Sequence, residues 1–342
     1  MKQATKDYLI ERMYKASIGA SNAVLVTLGI GLLFETFGKF LGWAGFLTIG
    51  AATKSLLAPA IGAGIAYQLG GNTLIIFSAM ACSAIGGNAI HQTSDGLITL
   101  VTGQPVSAVL AALVATWVGK RVAGRTKLDM MAIPFAAVLV GGVAGVGLAA
   151  VTTPLLQWIS GQITASVDGS PLLGSMVVSL VWSILLMTPA SSAALAIALQ
   201  LDPVSSAAAL IGCTVQFVGF TAMSFKQNDL GANIAQSLIT PKVQFPNLVK
   251  NPRLVIPPFI SSIICAPIAT MAFHFKVSYE LAGLGLNSLI APLNIVANQG
   301  LTGLLIYIAT GVVLPIIITL GIYHFIKLLG WAKRGDLQME VQ

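Results

Sequence analysis

Residues 85–100, IGGNAIHQTSDGLITL, set Asn88, His91, Gln92, Thr93, Ser94 and Asp95 between two long apolar runs. Amides, an imidazole and a carboxylate this close together can hold a polar solute or pass a proton. His91 and Asp95 stand four residues apart and meet if the segment is helical. A carboxylate beside an imidazole raises the imidazole's pKa, so such a pair would titrate near neutral pH. A second set of polar residues lies further on. Gln216, Gln227, Asn228, Asn233 and Gln236 form one group, and Asn294, Asn298 and Gln299 another. A buried amide needs a partner, and a polar solute can supply it as well as a neighbouring helix can. For any single amide the helix is the commoner partner, but the set as a whole suits a sugar or another small polar metabolite.

Other chemistry is poorly provided for. The three histidines, His91, His274 and His324, fall in separate segments with no acidic residue spaced to complete a ligand set, so no metal site is expected. Cys82, Cys213 and Cys265 each sit alone in apolar surroundings and read as small packing residues. No phosphate-binding loop of the G-x-x-x-x-G-K-[ST] type is present, and no Ser or Cys stands near a base–acid pair. No cofactor is implied and no complete catalytic site is legible.

The elements that must position these residues are membrane helices. The chain of 342 residues is 56% hydrophobic and 8% charged, against about 25% charged in soluble domains. Apolar runs long enough for ~30 Å of hydrocarbon recur along it, and they are continuous, unlike the alternating strands of a β-barrel. The fold class expected is an all-α polytopic membrane protein, a single domain over 1–342. About eight spans are read at 18–37, 45–68, 72–88, 98–119, 131–159, 172–200, 253–275 and 301–328. Two interrupted apolar stretches, 204–224 and 284–299, read as re-entrant hairpins. The first apolar run lacks a small-residue cleavage site and is read as a transmembrane helix.

Most of the 18 Lys and Arg residues fall into four groups: before the first span, at 120–127, at 226–253 and at the C-terminal end. If 204–224 does not cross, all four lie on one side, the cytoplasmic one, together with both termini. The net charge of +7 is thus topological and points to the bilayer, with no nucleic-acid partner implied. Proline is concentrated late. Pro241, Pro246, Pro252, Pro257, Pro258 and Pro267 lie within 27 residues or so of one another, where each removes a backbone donor. Broken helices at membrane depth point to a transporter's solute site. Residues 1–200 therefore read as a scaffold half and 201–330 as the half carrying the site. Gly141 and Gly145 give a G-x-x-x-G spacing fit for helix packing.

At LLAPAIGAGIAYQLGGNTLIIFSAMACSAIGG the chain resembles the membrane-embedded IIC component of bacterial phosphoenolpyruvate-dependent sugar phosphotransferase systems, the fructose type in particular. Pro59 to Tyr67 and Gly86–Gly87 carry the likeness. PVSAVLAALVATWVGKRV is similar to that family's next helix, and NPRLVIPPFISS to the helix start after its substrate loop. GRTKLDMMAIP and VQFPNLVKNPRLVIPP resemble a stand-alone subgroup, the perfringolysin-regulator-type membrane proteins. The resemblance implies a bacterial plasma-membrane protein, a homodimer with one solute site per protomer, and two re-entrant hairpins. It also implies phosphotransfer only through separate IIA and IIB proteins, since their phosphorylated residues have no counterpart here.

One position departs from the pattern. Counting back from Asn251 and Pro252, the family's sugar-associated glutamate falls on Lys242. A lysine there reverses the sign of the site and favours an anionic or electron-rich solute, with Asn247 or Gln244 beside it. The function read is a IIC-type carrier moving a small polar solute by alternating access; a membrane sensor that binds the solute without moving it is the alternative.

Overall fold

The computed structural model describes residues 2–92, 98–188 and 191–339. Helices dominate, and the chain forms two compact units: Met1–Ile159 with Ile197–Leu199, and Ser160–Ala196 with Gln200–Gln342.

In the first unit α1 (Lys2–Val24) runs through a π-turn at Leu25–Gly29 into α2 (Ile30–Leu41), which ends at Gly42 in the left-handed region that glycine tolerates. Then come α3 (Ala44–Ser55), α4 (Leu57–Gln68) and α5 (Thr73–Gly86), the last capped by the Asn72 side chain on the Ile75 amide. Strands β1 (Ile90–Gln92) and β2 (Ile98–Leu100) form an antiparallel pair, with His91 opposite Thr99. Helix α6 (Pro105–Val122) starts with proline at its first position, where no backbone donor is lost. Close backbone approach binds the unit together. A Cβ on Gly19 of α1 would lie 2.4 Å from the Gly64 carbonyl oxygen of α4, so only glycine permits this crossing. Gly141 and Gly145 of α7 (Asp129–Gly169) pack against Ala115 and Gly86 in the same way. Within this bundle Glu35 of α2 pairs with Lys54 of α3 at 2.9 Å, as charges within a membrane must.

The second unit holds the end of α7 and then α8 (Pro171–Met187), the first part of α9 (Ser192–Leu199) as far as Ala196, and α10 (Pro203–Ser224). A broken stretch follows: α11 (Leu230–Ile234), a π-turn to Ile239, a 3-10 turn at Pro241–Gln244 and α12 (Phe245–Lys250). Helices α13 (Ile256–Pro267), α14 (Ile290–Ile308) and α15 (Leu314–Leu328) complete it. Met187 at the end of α8 shares a core cluster with Phe220 and Met223 at the end of α10, Leu254 before α13 and Tyr323 near the end of α15. At the opposite end, Thr164 near the end of α7 donates to Asp202, the cap of α10. Helices α8 and α10 therefore run parallel, and the chain between Met187 and Asp202 doubles back.

That geometry corrects the sequence reading. Residues 204–224 are not a hairpin but one continuous 22-residue helix, long and apolar enough to cross a bilayer. Its hydroxyls and amide are buried in protein, so polarity there signals burial and not a break. The return falls in 188–202, where α9 has only eight residues. The expected span 172–200 thus divides, with α8 of 17 residues as its continuous part. Span 98–119 becomes a strand followed by α6, and 45–68 becomes α3 and α4, bent by 54°. Six helical stretches among the described residues have the length and hydropathy to cross, and the bent pair would make seven. The all-α polytopic class stands; the scheme of eight spans and two hairpins is not reproduced in that form.

A hairpin does form near the second expected position. The chain leaves Val277, whose amide donates to the Pro203 carbonyl at the start of α10. It reaches Gly285, packed on Phe217 and Cys213 further along α10. It turns at Asn287–Leu289, with Ser288 and Leu289 in left-handed conformations, and returns along α14. Gln299 then donates to the Lys276 carbonyl at 2.8 Å, closing the loop, and Gly300 breaks the helix before it continues.

Candidate solute site

Non-helical backbone from three directions meets the middle of α10. From the return stretch, Ser192 Oγ donates to the Gly283 carbonyl at 2.9 Å. From the hairpin, Gly285 lies on Phe217, and its carbonyl accepts from the Tyr307 hydroxyl at 3.4 Å. That hydroxyl also pairs with Thr214 of α10 at 2.8 Å. From the broken stretch comes Lys242, close enough to Cys213 for the two to interact electrostatically. Backbone freed from helices at membrane depth must be satisfied by protein or must line a cavity. Here the carbonyls of Gly283 and Gly285 are satisfied by hydroxyls from other elements, which fixes the hairpin against α10.

Lys242 is held by its turn. Thr240 caps the 3-10 turn by accepting from the Lys242 amide at 3.3 Å, and Pro241 sets the first helical φ. Burial pushes the Lys242 ammonium down to about 8, with the nearby Cys213 acting in the opposite direction. A buried lysine of this kind titrates in reach of physiological pH.

Of the expected contacts, Gln216 lies one turn along α10 from Cys213. Gln216 is fully buried in α10; its Nε2 donates to the Gly212 carbonyl at 3.3 Å and its Oε1 has no partner among the described residues. Asn294, on the returning arm of the hairpin, accepts from Asn298 Nδ2 at 2.7 Å. Gln236 lies one step further along, donating to Thr221 and Ser224 near the end of α10 and accepting from Gln244 at 2.5 Å.

The remaining amides are engaged by the chain itself. Gln244 also donates to the Leu337 carbonyl. Asn228 bonds the Leu337 carbonyl and the Met339 amide, and Gln227 accepts from the amides of Gly335 and Leu337. Asn247 donates to the Gln338 carbonyl, Asn251 to that of Trp331. These side chains anchor the C-terminal stretch 331–339, which has no regular structure and so must find side-chain partners for its peptide groups. A cleft of about 350 Å³ opens beside it, lined by Asn247, Lys250, Asn251, Gly335, Asp336 and Gln338. Asn233 ties the turn after α10, donating to the carbonyls of Phe225 and Asn228, and its Oδ1 is buried without a partner among the described residues.

The residues that opened the sequence reading lie in the other unit. Asn88 is exposed at the end of α5 with φ of 48°, a left-handed residue of a kind asparagine tolerates. His91 is exposed on a strand, not a helix, so the helical spacing required to bring it onto Asp95 is absent at His91. Asp95 lies outside the described residues. Sequence reasoning missed Ser192, Gly283, Gly285, Thr214 and Tyr307. The paired glycines of LAGLGLN were the only signal; nothing marked the hydroxyls, whose partners are remote in sequence.

Apolar helices of spanning length around a hairpin-packed centre make this a polytopic helical membrane protein with broken helices, an architecture that transporters use. Residues 14–339 match the family described as phosphotransferase system, EIIC, and the chain belongs to that family. It is thereby a sugar-type phosphotransferase-system transporter component embedded in the membrane. No curated protein matches it.

Proposed function

We propose that this protein carries a small polar solute bearing an anionic or electron-rich group across the bacterial plasma membrane by alternating access. Lys242 is its charged contact. The carrying observation is the meeting of Lys242, the hairpin 276–299 and the return stretch before α10 on the middle of that helix. Gln216 of α10 and Gln236 bonded near its end, with Asn294 and Asn298 on the hairpin's returning arm, supply neutral hydrogen bonds to the solute; Asn228, Asn233 and Asn247 act behind them, holding the broken stretch in place. Asn88, His91 and Asp95 belong to the scaffold half and serve an access role. The lysine in place of the fructose-type glutamate favours the stand-alone, perfringolysin-regulator-type subgroup. It argues against a plain neutral sugar as the solute.

The protein works as a homodimer with both termini in the cytoplasm. Any phosphorylation of the solute comes from IIA and IIB proteins on other chains. Purified protein in liposomes tests this reading: uptake of an acidic sugar derivative without any phosphate donor supports the carrier, whereas saturable binding with no uptake under either condition assigns it to sensing. Tight, Lys242-independent binding of a neutral hexose would end the assignment of the contact.

A further inference from the structure

The first unit carries a cationic cluster at the C-terminal end of α4 that the solute site does not use. The Leu69 carbonyl, at the C-terminal end of α4, accepts from Arg12 Nη1 of α1 at 3.0 Å and from Lys120 Nζ of α6 at 2.6 Å. Two full positive charges thus stand on one oxygen atom. Helix C-termini offset only part of this, each worth about half an elementary charge. Among the described residues neither cation makes an ion pair: Glu11 is paired with Lys15 and feels Arg12 only as its weakest influence, and Asp129 is used by Gly124 and Thr126. Arg121, Arg125 and Lys127 add to the excess. The carbonyl's two lone pairs are filled, while most of the guanidinium and ammonium donors remain.

The surroundings specify where an anion would come from. Arg12 begins the apolar stretch Glu11–Leu41, and Lys120 ends the apolar helix Pro105–Val122. Arg12 stacks on Tyr8 and Arg121 on Trp117, rings that are 54% and 59% exposed. Exposed Tyr and Trp at the ends of spans mark the headgroup layer. Lys120 is exposed and Arg12 half-buried, so the cluster is open to that layer.

We propose that Arg12 and Lys120, set on the Leu69 carbonyl, form a site for a phosphate diester, filled by the headgroup of an anionic phospholipid. Its occupant bridges α1 and α6 at the end of α4 and relieves the repulsion between the two cations.

Native mass spectrometry of the full chain, released from micelles containing equal phosphatidylglycerol and phosphatidylcholine, tests it. Wild type should retain phosphatidylglycerol preferentially, and the double variant Arg12→Gln with Lys120→Gln should lose more than about tenfold in affinity, each surface cation being worth about fivefold. Neutralising Lys333 and Arg334 should leave retention unchanged. If the double variant does not fold, each single variant should lose about fivefold. Retention by the variants equal to wild type overturns the proposal. Displacement of the lipid by millimolar inorganic phosphate, with phosphate itself bound, overturns the lipid assignment in favour of a free-anion site.

Discussion

Thr164 donates its hydroxyl to the Asp202 carboxylate at 3.1 Å, tying the end of α7 to the start of α10. Because α8 begins directly after α7, this bond places the starts of α8 and α10 at one level. The chain between them must therefore go out and come back. The position of that reversal follows only from the contact.

Sidedness is the first consequence. With 188–202 as the returning stretch and α10 as a crossing, the basic residues 226–250 are expected on the cytoplasmic side, the side expected of 120–128 as well. Single cysteines placed at 120–128 and at 226–250 should react with a membrane-impermeant thiol reagent only from the inside, and those at 160–170 only from the outside. External labelling at 226–250 would show that α10 and the return stretch have been paired wrongly.

Asp202 also caps α10, accepting from the amides of Val204 and Ser205 at 2.9 and 3.0 Å. Burial pushes its carboxyl up, but hydrogen bonding from Ser205, Thr164 and Val204 outweighs this and holds it below the usual carboxylate range. A depressed folded pKa contributes stability above the unfolded value near 4, lost as pH falls through the folded one. Asp202→Ala should cost about 1 kcal/mol at neutral pH, and the gap from wild type should close in strong acid. Thermal melts across pH 2–7 read both; a gap constant with pH would refute the cap.

For Lys242 the expected sign is the reverse. An anionic solute needs the ammonium, so affinity should be flat below pH 7 and fall as pH rises through about 8. Lys242→Gln should weaken binding by more than about tenfold, the 1.5–3 kcal/mol of a hydrogen bond to a charged group, and should flatten the pH profile. Calorimetry at pH 6.5 and 9 separates this from a purely topological lysine, whose loss would leave affinity intact at both.

Gln244 is the hub of the C-terminal anchor, joining Gln236 to the Leu337 carbonyl with no exposed surface. Gln244→Leu removes the donor to the buried Gln236 Oε1, at about 1–3 kcal/mol, and one of the two donors to the Leu337 carbonyl, which keeps Asn228. Hydrogen exchange at the amides of Gly335, Leu337 and Met339 should accelerate in that variant, while the first unit keeps its protection. Unchanged exchange there would mean the anchor rests on Asn228 and Gln227 alone.

Length and hydropathy by themselves determined the class of this protein, since 56% hydrophobic and 8% charged residues leave a polytopic helical membrane domain as the solution that satisfies the backbone. Pro241, Pro246 and Pro252 marked the broken stretch between α10 and α13, while Pro257, Pro258 and Pro267 lie within α13, and the family pattern singled out Lys242. Tertiary structure decided which breaks reverse the chain. Residues 204–224 looked interrupted because Ser205, Thr214 and Gln216 are polar, yet α8 and α13 bury that helix, and polarity buried in protein reads the same in sequence as polarity at a break. Tertiary structure likewise decided what the amides do. Asn228 and Asn247 meet backbone groups about a hundred residues away, and Arg12 and Lys120 meet on one carbonyl from helices that no local pattern pairs. Local periodicity encodes an element and its breaks; which distant polar groups share a partner depends on packing that only the folded chain supplies.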